Sequence, residues 1–260
     1  MLPPTKAFVA LLLSATSLAA PSEDDLLSPT STSTPEPITT TDPPSSYAVI
    51  LFPGFAPLDV FGPLGPLEMV GFHRGATLKL VAATLDPVSS DVEKNSTFSQ
   101  SVVPDLTFDQ FLSDDTEVDV IILPGGGGVR VSDEDLAPVV NFVKEVYPRL
   151  QYLITICTGA GIAAKAGVLD GKRATTNKAA WDEITVMRPQ VEWVSPARWV
   201  VDGNIWSSSG VTSGLDLTAE FMRQMYGEDL TEHSLGVMEY TPHPQDYDPF
   251  AEMFGVPPSP

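Results

Sequence analysis

From residue 47 onward, short and continuously apolar runs alternate with longer segments of mixed polarity. Turn residues bound four of these runs, which we predict to be strands: 47–52, 78–84, 118–124 and 152–157. Strands that are apolar at every position are typical of a parallel sheet covered by helices on both faces. Between the last two, Ser132 is a typical helix cap and helical periodicity continues to Val146. This β-α-β order predicts an α/β fold.

The later part of the chain has a different pattern. The stretch "VEWVSPARWVVDGNIWSSSG" predicts short strands joined by a tight turn at Asp202-Gly203, and "TSGLDLTAEFMRQMYG" predicts a helix after them. We therefore expect a folded domain over residues 47–227 and a C-terminal extension over residues 228–260.

The residues before the domain resemble a targeting segment and a linker. Residues 1–19 combine an early lysine, an apolar run and small residues, which predicts a cleaved secretory signal peptide. The apolar run is far shorter than the roughly 20 residues that a membrane span needs. Residues 20–46 are rich in Pro, Ser and Thr, which predicts a disordered linker. The expected location of the protein is therefore extracellular.

The charge of the chain argues against two classes of partner. With 14 basic and 34 acidic residues, the formal net charge is −20, which repels nucleic-acid backbones and anionic membranes. We expect no nucleic-acid partner and, after signal cleavage, no membrane association. Asn95 begins the sequon "NST" in a polar stretch, so we predict a glycan there.

Cys157 is the only cysteine of the chain, so it forms no internal disulfide. It ends an apolar run, and the small residues after it, beginning with Thr158 and Gly159, favour a sharp strand-to-helix turn. Such a turn directs the thiol at the positive end of a helix, which lowers the thiol pKa. A lone cysteine is more often a small buried residue, but this context favours a nucleophile.

Two other segments are expected at the same edge of the sheet because they also follow strands. In "LPGGGGVR", the amides of Gly125 and Gly126 are candidates for stabilising developing negative charge. A flexible turn is the simpler interpretation, and the absence of a following Gly-Lys-Ser/Thr excludes a phosphate loop. In "GFAPLDVFGPLGPLE", Asp59 and Glu68 are the candidate carboxylates, although either would be ordinary on a helix surface.

Four motifs together resemble the ThiJ/PfpI superfamily: "GFAPLDVFGP", "IILPGG", "ICTGAGIAAKAGVLDGKRATTNK" and "SSSGVTSGLDL". The resemblance covers residues 47–227 and implies the class I glutamine-amidotransferase-like fold. This is a flavodoxin-like three-layer sandwich with a mostly parallel sheet and a cysteine nucleophile elbow. The Cys-Thr-Gly elbow, with the Leu-Asp of Asp59, is similar to the isonitrile hydratase-like branch. The chain also resembles several fungal members of the superfamily, secreted or cytosolic, and we expect a secreted fungal-type member.

Two departures from the family pattern narrow the implied activity. Thr158 stands where the family's peptidases have a histidine, and Asn177 followed by Lys178 stands where many relatives have His-Trp. The three histidines of the chain lie outside these motifs: His73, His233 and His243. A Cys-His peptidase is therefore not expected, and Asn177 is a secondary candidate for the site.

The acidic partner of the thiol has two alternatives. The family's Gly-Pro-x-Glu occurs as "GPLG" and "GPLE", so an ungapped match places Gly65 at the acidic position and a shifted match uses Glu68. The partner is then Asp59 alone or Asp59 with Glu68. Asp59 is favoured because its Leu-Asp dipeptide matches without a gap.

The resemblance implies addition of water to a small electrophilic molecule such as an isonitrile. In that reaction the Cys157 thiolate would attack, Asp59 would carry the proton, and Thr158, Gly125 and Gly126 would orient or stabilise the intermediate. Neither a metal nor an organic cofactor is expected, and a homodimer is. The competing interpretation is a non-catalytic secreted protein that senses oxidants through its thiol or binds a ligand.

Overall fold

The computed structural model describes residues 42–93, 95–114 and 116–259. The predicted signal peptide (1–19) and most of the predicted linker (20–46) lie outside the described residues. The strands are β1 (Ser46–Ile50), β2 (Thr77–Ala82), β3 (Val88–Ser89), β4 (Ser101–Val102), β5 (Leu106–Thr107), β6 (Val120–Leu123), β7 (Tyr152–Thr155), β8 (Arg173–Ala174), β9 (Glu192–Trp193), β10 (Trp199–Asp202) and β11 (Ile205–Ser208). The helices are α1 (Pro57–Arg74), α2 (Phe108–Ser113), α3 (Asp133–Val146), α4 (Gly159–Lys165), α5 (Trp181–Thr185), α6 (Ser213–Tyr226), α7 (Glu228–Val237) and α8 (Pro249–Met253).

The central sheet contains seven strands within the described residues, in the order β10-β11-β7-β6-β1-β2-β5. All neighbours in this sheet are parallel except β10 and β11, which form an antiparallel hairpin at one edge. The four predicted strands are β1, β2, β6 and β7, and each ends before its apolar run does. After β1, β6 and β7 the remaining apolar residues lead into the loops that carry the candidate site.

Helices cover both faces of the sheet. One layer consists of α1, α6 and α7, which contact one another. In the other layer α3 contacts α4 and α4 contacts α5, while α2 joins through Phe108, whose ring stacks on Phe142 with centroids 4.4 Å apart. Because both faces are covered, β1, β6 and β7 bury nearly every side chain. The predicted three-layer α/β sandwich with a mostly parallel sheet is confirmed.

The β10–β11 hairpin is present, and its turn lies one residue later than the sequence suggested. Asp202 pairs with Ile205, so Gly203 and Asn204 form the two-residue loop. Gly203 has a φ of 61°, a left-handed conformation that costs glycine nothing.

The C-terminal extension is packed against the domain. Helix α7 contacts α1 and α6. Beyond it, residues 238–259 run to the segment before β10, where the Gln245 carbonyl oxygen accepts a hydrogen bond from the Arg198 amide (2.8 Å). The Ser259 amide donates to the Ser195 carbonyl oxygen (2.6 Å). In the described part of the chain, every helix is too short or too polar to cross a bilayer.

Candidate active site

Cys157 occupies a tight turn between β7 and α4. Its φ is 57°, in the left-handed region that residues with a Cβ atom rarely adopt. The turn is closed by a hydrogen bond from the Gly159 amide to the Ile156 carbonyl oxygen (2.9 Å). The chain therefore reverses within three residues and leaves the thiol at the N-terminal end of α4. This is the nucleophile elbow that the sequence predicted.

The glycine-rich loop after β6 packs directly against the elbow. A Cβ atom added at Gly125 would lie 2.6 Å from the backbone nitrogen of Thr158. One added at Gly159 would lie 2.4 Å from the carbonyl oxygen of Leu123. Both distances are far inside normal contact, so glycine is required where the loop and the elbow approach each other.

Asp59 reaches the elbow from the first turn of α1. The loop before this helix pairs with the glycine-rich loop, since the Ala56 amide donates to the Gly125 carbonyl oxygen (2.8 Å). In return the Gly125 amide donates to Asp59 Oδ2 (3.0 Å). The other oxygen, Oδ1, is buried without a hydrogen bond of standard geometry, and the carboxyl group interacts with the Cys157 thiol. Asp59 is completely buried.

The Cys157 sulfur has two further polar neighbours. Asn177 Nδ2 lies 3.2 Å from Sγ and donates a hydrogen bond to it. The amide and hydroxyl groups of Thr158 also interact with the sulfur, and the Thr158 hydroxyl accepts a hydrogen bond from the Gly126 amide (3.0 Å). The structure therefore brings Cys157, Asp59, Thr158 and Asn177 into one site.

Burial controls the protonation of the pair. It raises the pKa of the Asp59 carboxyl group to about 6, although the hydrogen bond from Gly125 and the interaction with Cys157 oppose this shift. Burial also raises the pKa of the Cys157 thiol to about 12, and the negative charge of Asp59 contributes to the same shift. The hydrogen bonds from Asn177 and Thr158 lower this pKa, but by less. Near neutral pH the carboxyl group is therefore ionised and the sulfur carries the proton.

The expectation of a lowered thiol pKa is consequently wrong for this arrangement. The sequence correctly indicated a helix terminus next to the sulfur, and the Thr158 amide provides that interaction. It did not indicate that only 6% of the Cys157 surface is exposed. The free-energy cost of removing a thiolate from water is larger than the stabilisation that a hydrogen bond from one backbone amide provides.

The amides of Gly125 and Gly126, which were predicted to stabilise developing negative charge, are already engaged within the protein. Both amides already donate hydrogen bonds, one to Asp59 and the other to Thr158. Their observed role is to hold these two side chains. Direct stabilisation of a substrate would require one of these bonds to be exchanged, and it stays a prediction.

Glu68 is not brought to the thiol. It is exposed on α1, nine residues beyond Asp59, which places it about 14 Å further along the helix axis. It lines a mainly apolar groove together with Tyr47, Phe61 and Phe72. The shifted match of Gly-Pro-x-Glu therefore does not correspond to the site, and Asp59 is the carboxyl group beside Cys157.

The histidines do not form a dyad with the thiol. The rings of His73 and His233 contact each other, with centroids 5.7 Å apart. His243 stacks on Tyr247 at 4.9 Å. In addition, across residues 42–93, 95–114 and 116–259, no group of three or more His, Cys, Asp or Glu side chains is arranged to hold a metal ion.

Sequence reasoning missed a buried ion pair next to the site. Lys178 Nζ lies 3.1 Å from Asp248 Oδ2, and each side chain is only 1% exposed. Burial lowers the pKa of the lysine, whereas the carboxylate of Asp248 opposes that shift. The two residues come from the loop after β8 and from the C-terminal extension, so no spacing in the sequence could have revealed the contact.

Comparisons with known proteins agree with this geometry. Residues 45–224 match the model of the DJ-1/PfpI family. An isonitrile hydratase of Pseudomonas putida is 33% identical over 75% of this chain and 78% of that protein. A deglycase of Pyrococcus horikoshii is 36% identical over 44% of this chain and 65% of that protein. The crystal structure of a ThiJ/PfpI family protein from Pseudomonas syringae superposes with a TM-score of 0.63 at 28% identity, covering 78% of this chain and 77% of that one.

Proposed function

The chain belongs to the DJ-1/PfpI family, and from this premise we propose that it is a cysteine-dependent enzyme that adds water to a small electrophilic molecule. An isonitrile is the first candidate substrate. The observation that carries the proposal is the buried pair of Cys157 and Asp59, in which one proton can pass between sulfur and oxygen. Similarity to an isonitrile hydratase over most of both chains supports it.

The first half of the reaction joins sulfur to the substrate. The Cys157 sulfur attacks the terminal isonitrile carbon while Asp59 accepts the thiol proton and then delivers it to that carbon. The new C–S and C–H bonds give a thioimidate attached to the enzyme. Asn177 and Thr158 donate hydrogen bonds to the sulfur and lower the cost of the negative charge that develops there.

The second half releases the product. Asp59 accepts a proton from a water molecule, whose oxygen attacks the thioimidate carbon, and delivers that proton to the nitrogen. The C–S bond then breaks while the hydroxyl group of the tetrahedral intermediate loses its proton through Asp59 to the departing sulfur. This restores the thiol and the ionised Asp59 and yields an N-substituted formamide. Isonitrile and water together account for all atoms of the product, and side chains of the site carry out each step of this scheme.

Two alternatives are weaker. A reaction that depends on a Cys-His dyad finds no histidine at the thiol, since His73 and His233 contact each other. An oxidant sensor usually has an exposed thiol of low pKa, whereas Cys157 is buried and its pKa is raised. A non-catalytic ligand-binding protein is the remaining competitor.

The direct test is incubation of the purified protein with an alkyl isonitrile, followed by NMR detection of the formamide. Time-dependent formamide that disappears in Cys157→Ala supports the proposal. Equal formamide in both samples, or none in either, would reject it. Intact mass after mild peroxide treatment runs in parallel, because clean conversion to a sulfenic or sulfinic acid without turnover would favour the sensor.

A homodimer stays a prediction. The side chains of Leu58, Phe61 and Phe72 on α1 are exposed apolar surface, which suits a contact between copies. Sedimentation of the purified protein over a range of concentrations measures its mass in solution.

A further inference from the structure

The loop between β8 and α5 contacts the elbow at two points. Thr176 Oγ1 donates a hydrogen bond to the Cys157 carbonyl oxygen (3.0 Å). Asn177 Nδ2 donates to the Cys157 sulfur (3.2 Å), while its Oδ1 accepts from the Ala179 amide (2.9 Å). Because Oδ1 is held by the backbone, the orientation of the amide is fixed and its NH2 group faces the sulfur. The position of this loop therefore controls one of the donors to the thiol.

Lys178, the next residue, holds the loop from the opposite side. Its ammonium group lies in the interior, 2.9 Å from Thr175 Oγ1 and 3.0 Å from Ser209 Oγ. It is also 3.3 Å from the Thr176 carbonyl oxygen and 3.1 Å from that of Ala197. An ammonium group buried this deeply requires a counter-charge.

Asp248 supplies that charge from the C-terminal extension. Its Oδ2 lies 3.1 Å from Lys178 Nζ and accepts a hydrogen bond from the Ala197 amide (3.0 Å). A buried ion pair adds little stability compared with well-packed apolar residues of the same size. Fixing the position of the lysine, and with it the loop, is a more specific role for such a pair.

We propose that Asp248 is a positioning residue for Cys157, acting through Lys178 and the Asn177 amide. The C-terminal extension is thereby a functional part of the site. The catalytic meaning of this role rests on the proposed function. The reactivity of the thiol does not, because it can be measured without substrate.

The experiment is the rate of alkylation of Cys157 by iodoacetamide at about pH 8, followed by intact mass. Since the chain has a single cysteine, the added mass reports Cys157 alone. Asn177→Ala should slow alkylation about tenfold, as expected for loss of a hydrogen bond to a charged group. Asp248→Asn should slow it about threefold or more, within the range of couplings in one hydrogen-bond network.

The decisive measurement is the alkylation rate of the double variant that combines Asp248→Asn with Asn177→Ala. If Asp248 acts through Asn177, Asp248→Asn should have no further effect once Asn177 is alanine. The matched control is Gln245→Ala, which removes a hydrogen bond from the same extension to the Trp199 carbonyl oxygen (2.9 Å) without touching the loop. It should leave the alkylation rate unchanged.

Several results would overturn the proposal. Asp248→Asn could slow alkylation equally with and without Asn177, or Gln245→Ala could slow it as much as Asp248→Asn does. Asp248→Asn could also leave the alkylation rate unchanged or increase it. If Asp248→Asn does not fold, as judged by thermal unfolding, the pair Lys178→Met with Asp248→Leu replaces both charges by apolar residues of similar size. The same comparisons then apply to this variant. Absence of isonitrile turnover would reject the proposed function while leaving the alkylation result intact.

Discussion

Cys157 and Asp59 share a buried volume in which a second negative charge is costly. Burial raises the pKa of both groups, and the ionised carboxyl group raises that of the thiol further. Sulfur can therefore become nucleophilic at neutral pH when its proton passes to Asp59 as the new bond forms. The two side chains therefore work as a unit. The nucleophile forms when the sulfur passes its proton to the Asp59 carboxyl group, and it is not present beforehand as a thiolate.

The pH dependence of turnover follows from this arrangement. Asp59 must be ionised to accept the thiol proton, so we expect kcat/KM for an isonitrile to fall on acidification with a midpoint at about pH 6. The measurement is initial rates of formamide formation between about pH 5 and pH 8. An activity that rises below pH 6 would show instead that the protonated carboxyl group is the active form.

The division of roles between side chains predicts unequal effects of substitution. Cys157→Ala should abolish turnover, and Asp59→Asn should reduce it by roughly 10²–10⁴-fold, since an amide cannot transfer the proton at neutral pH. Glu68→Gln is the control, because it removes an acid from the same helix at an exposed position. Steady-state kinetics on folded variants measures all three. Equal losses in Asp59→Asn and Glu68→Gln would contradict the assignment of the acid.

At the scale of elements, the site is formed where the loops after β1 and β6 meet the elbow after β7. Each of these three strands is central and buried, so the loops start from fixed points. The glycine-rich loop and the elbow approach each other closely at Gly125 and Thr158.

The close contact between Gly125 and Thr158 predicts that alanine substitutions at Gly125 and Gly127 differ in their effect on stability. Gly125→Ala should destabilise the protein by about 1–3 kcal/mol, because its Cβ would lie 2.6 Å from Thr158 Oγ1. It should also slow alkylation of Cys157 by displacing the elbow. Gly127→Ala should be nearly neutral, since nothing lies within 4 Å of its Cβ. Urea unfolding and alkylation rates compare the two, and similar behaviour would contradict the packing argument.

The strands that build the site could be predicted because their apolar runs are local and continuous. Val49, Ile122 and Ile154 lie on the three strands that lead to the site, and all are fully buried, as the pattern indicates. Motifs next to the strand ends likewise indicated Cys157 and Asp59. Their pKa values could not be predicted, because these depend on burial by elements distant in sequence.

No local sequence pattern indicated that the C-terminal extension completes buried ion pairs in the domain. Lys178 and Asp248 look like surface charges in the sequence, yet they form a buried pair. A second buried pair, Arg198 with Asp216, is likewise completed from the extension, by Tyr240 and the His243 amide. Contacts of this kind depend on the path of the chain across the domain, which composition and periodicity do not specify.

For the molecule as a whole, we propose secretion. Material from the native host should begin near residue 20 and carry a glycan at Asn95, which is exposed and leaves room for one. N-terminal sequencing and the mass change on glycosidase treatment test this. Recovery of Met1 together with an unchanged mass would reject it. Asn95→Gln is the control for the position of the glycan.

The free energy of unfolding should depend on Asp59. Burial raises its pKa from an ordinary 3.8 to about 6 in the folded protein, so the folded state binds the proton more tightly and loses stability as pH rises from about 4 to about 6. A rise in pKa from 3.8 to about 6 corresponds to about 3 kcal/mol. Asp59→Asn should therefore be more stable than the original protein at pH 7.5, by up to this amount, and similar to it at about pH 4. Urea unfolding at both values measures the difference; equal stabilities at pH 7.5 would contradict the raised pKa.

The complete burial of Asp59 thus supports catalysis and at the same time lowers the robustness of the fold towards heat. A laboratory selection for heat-resistant variants, made without regard to turnover, would enrich replacements of this one acid. The survivors would keep the fold and the reactive-looking elbow while lacking the group that moves the proton. Long-term retention of aspartate at this position therefore requires selection for the chemistry itself.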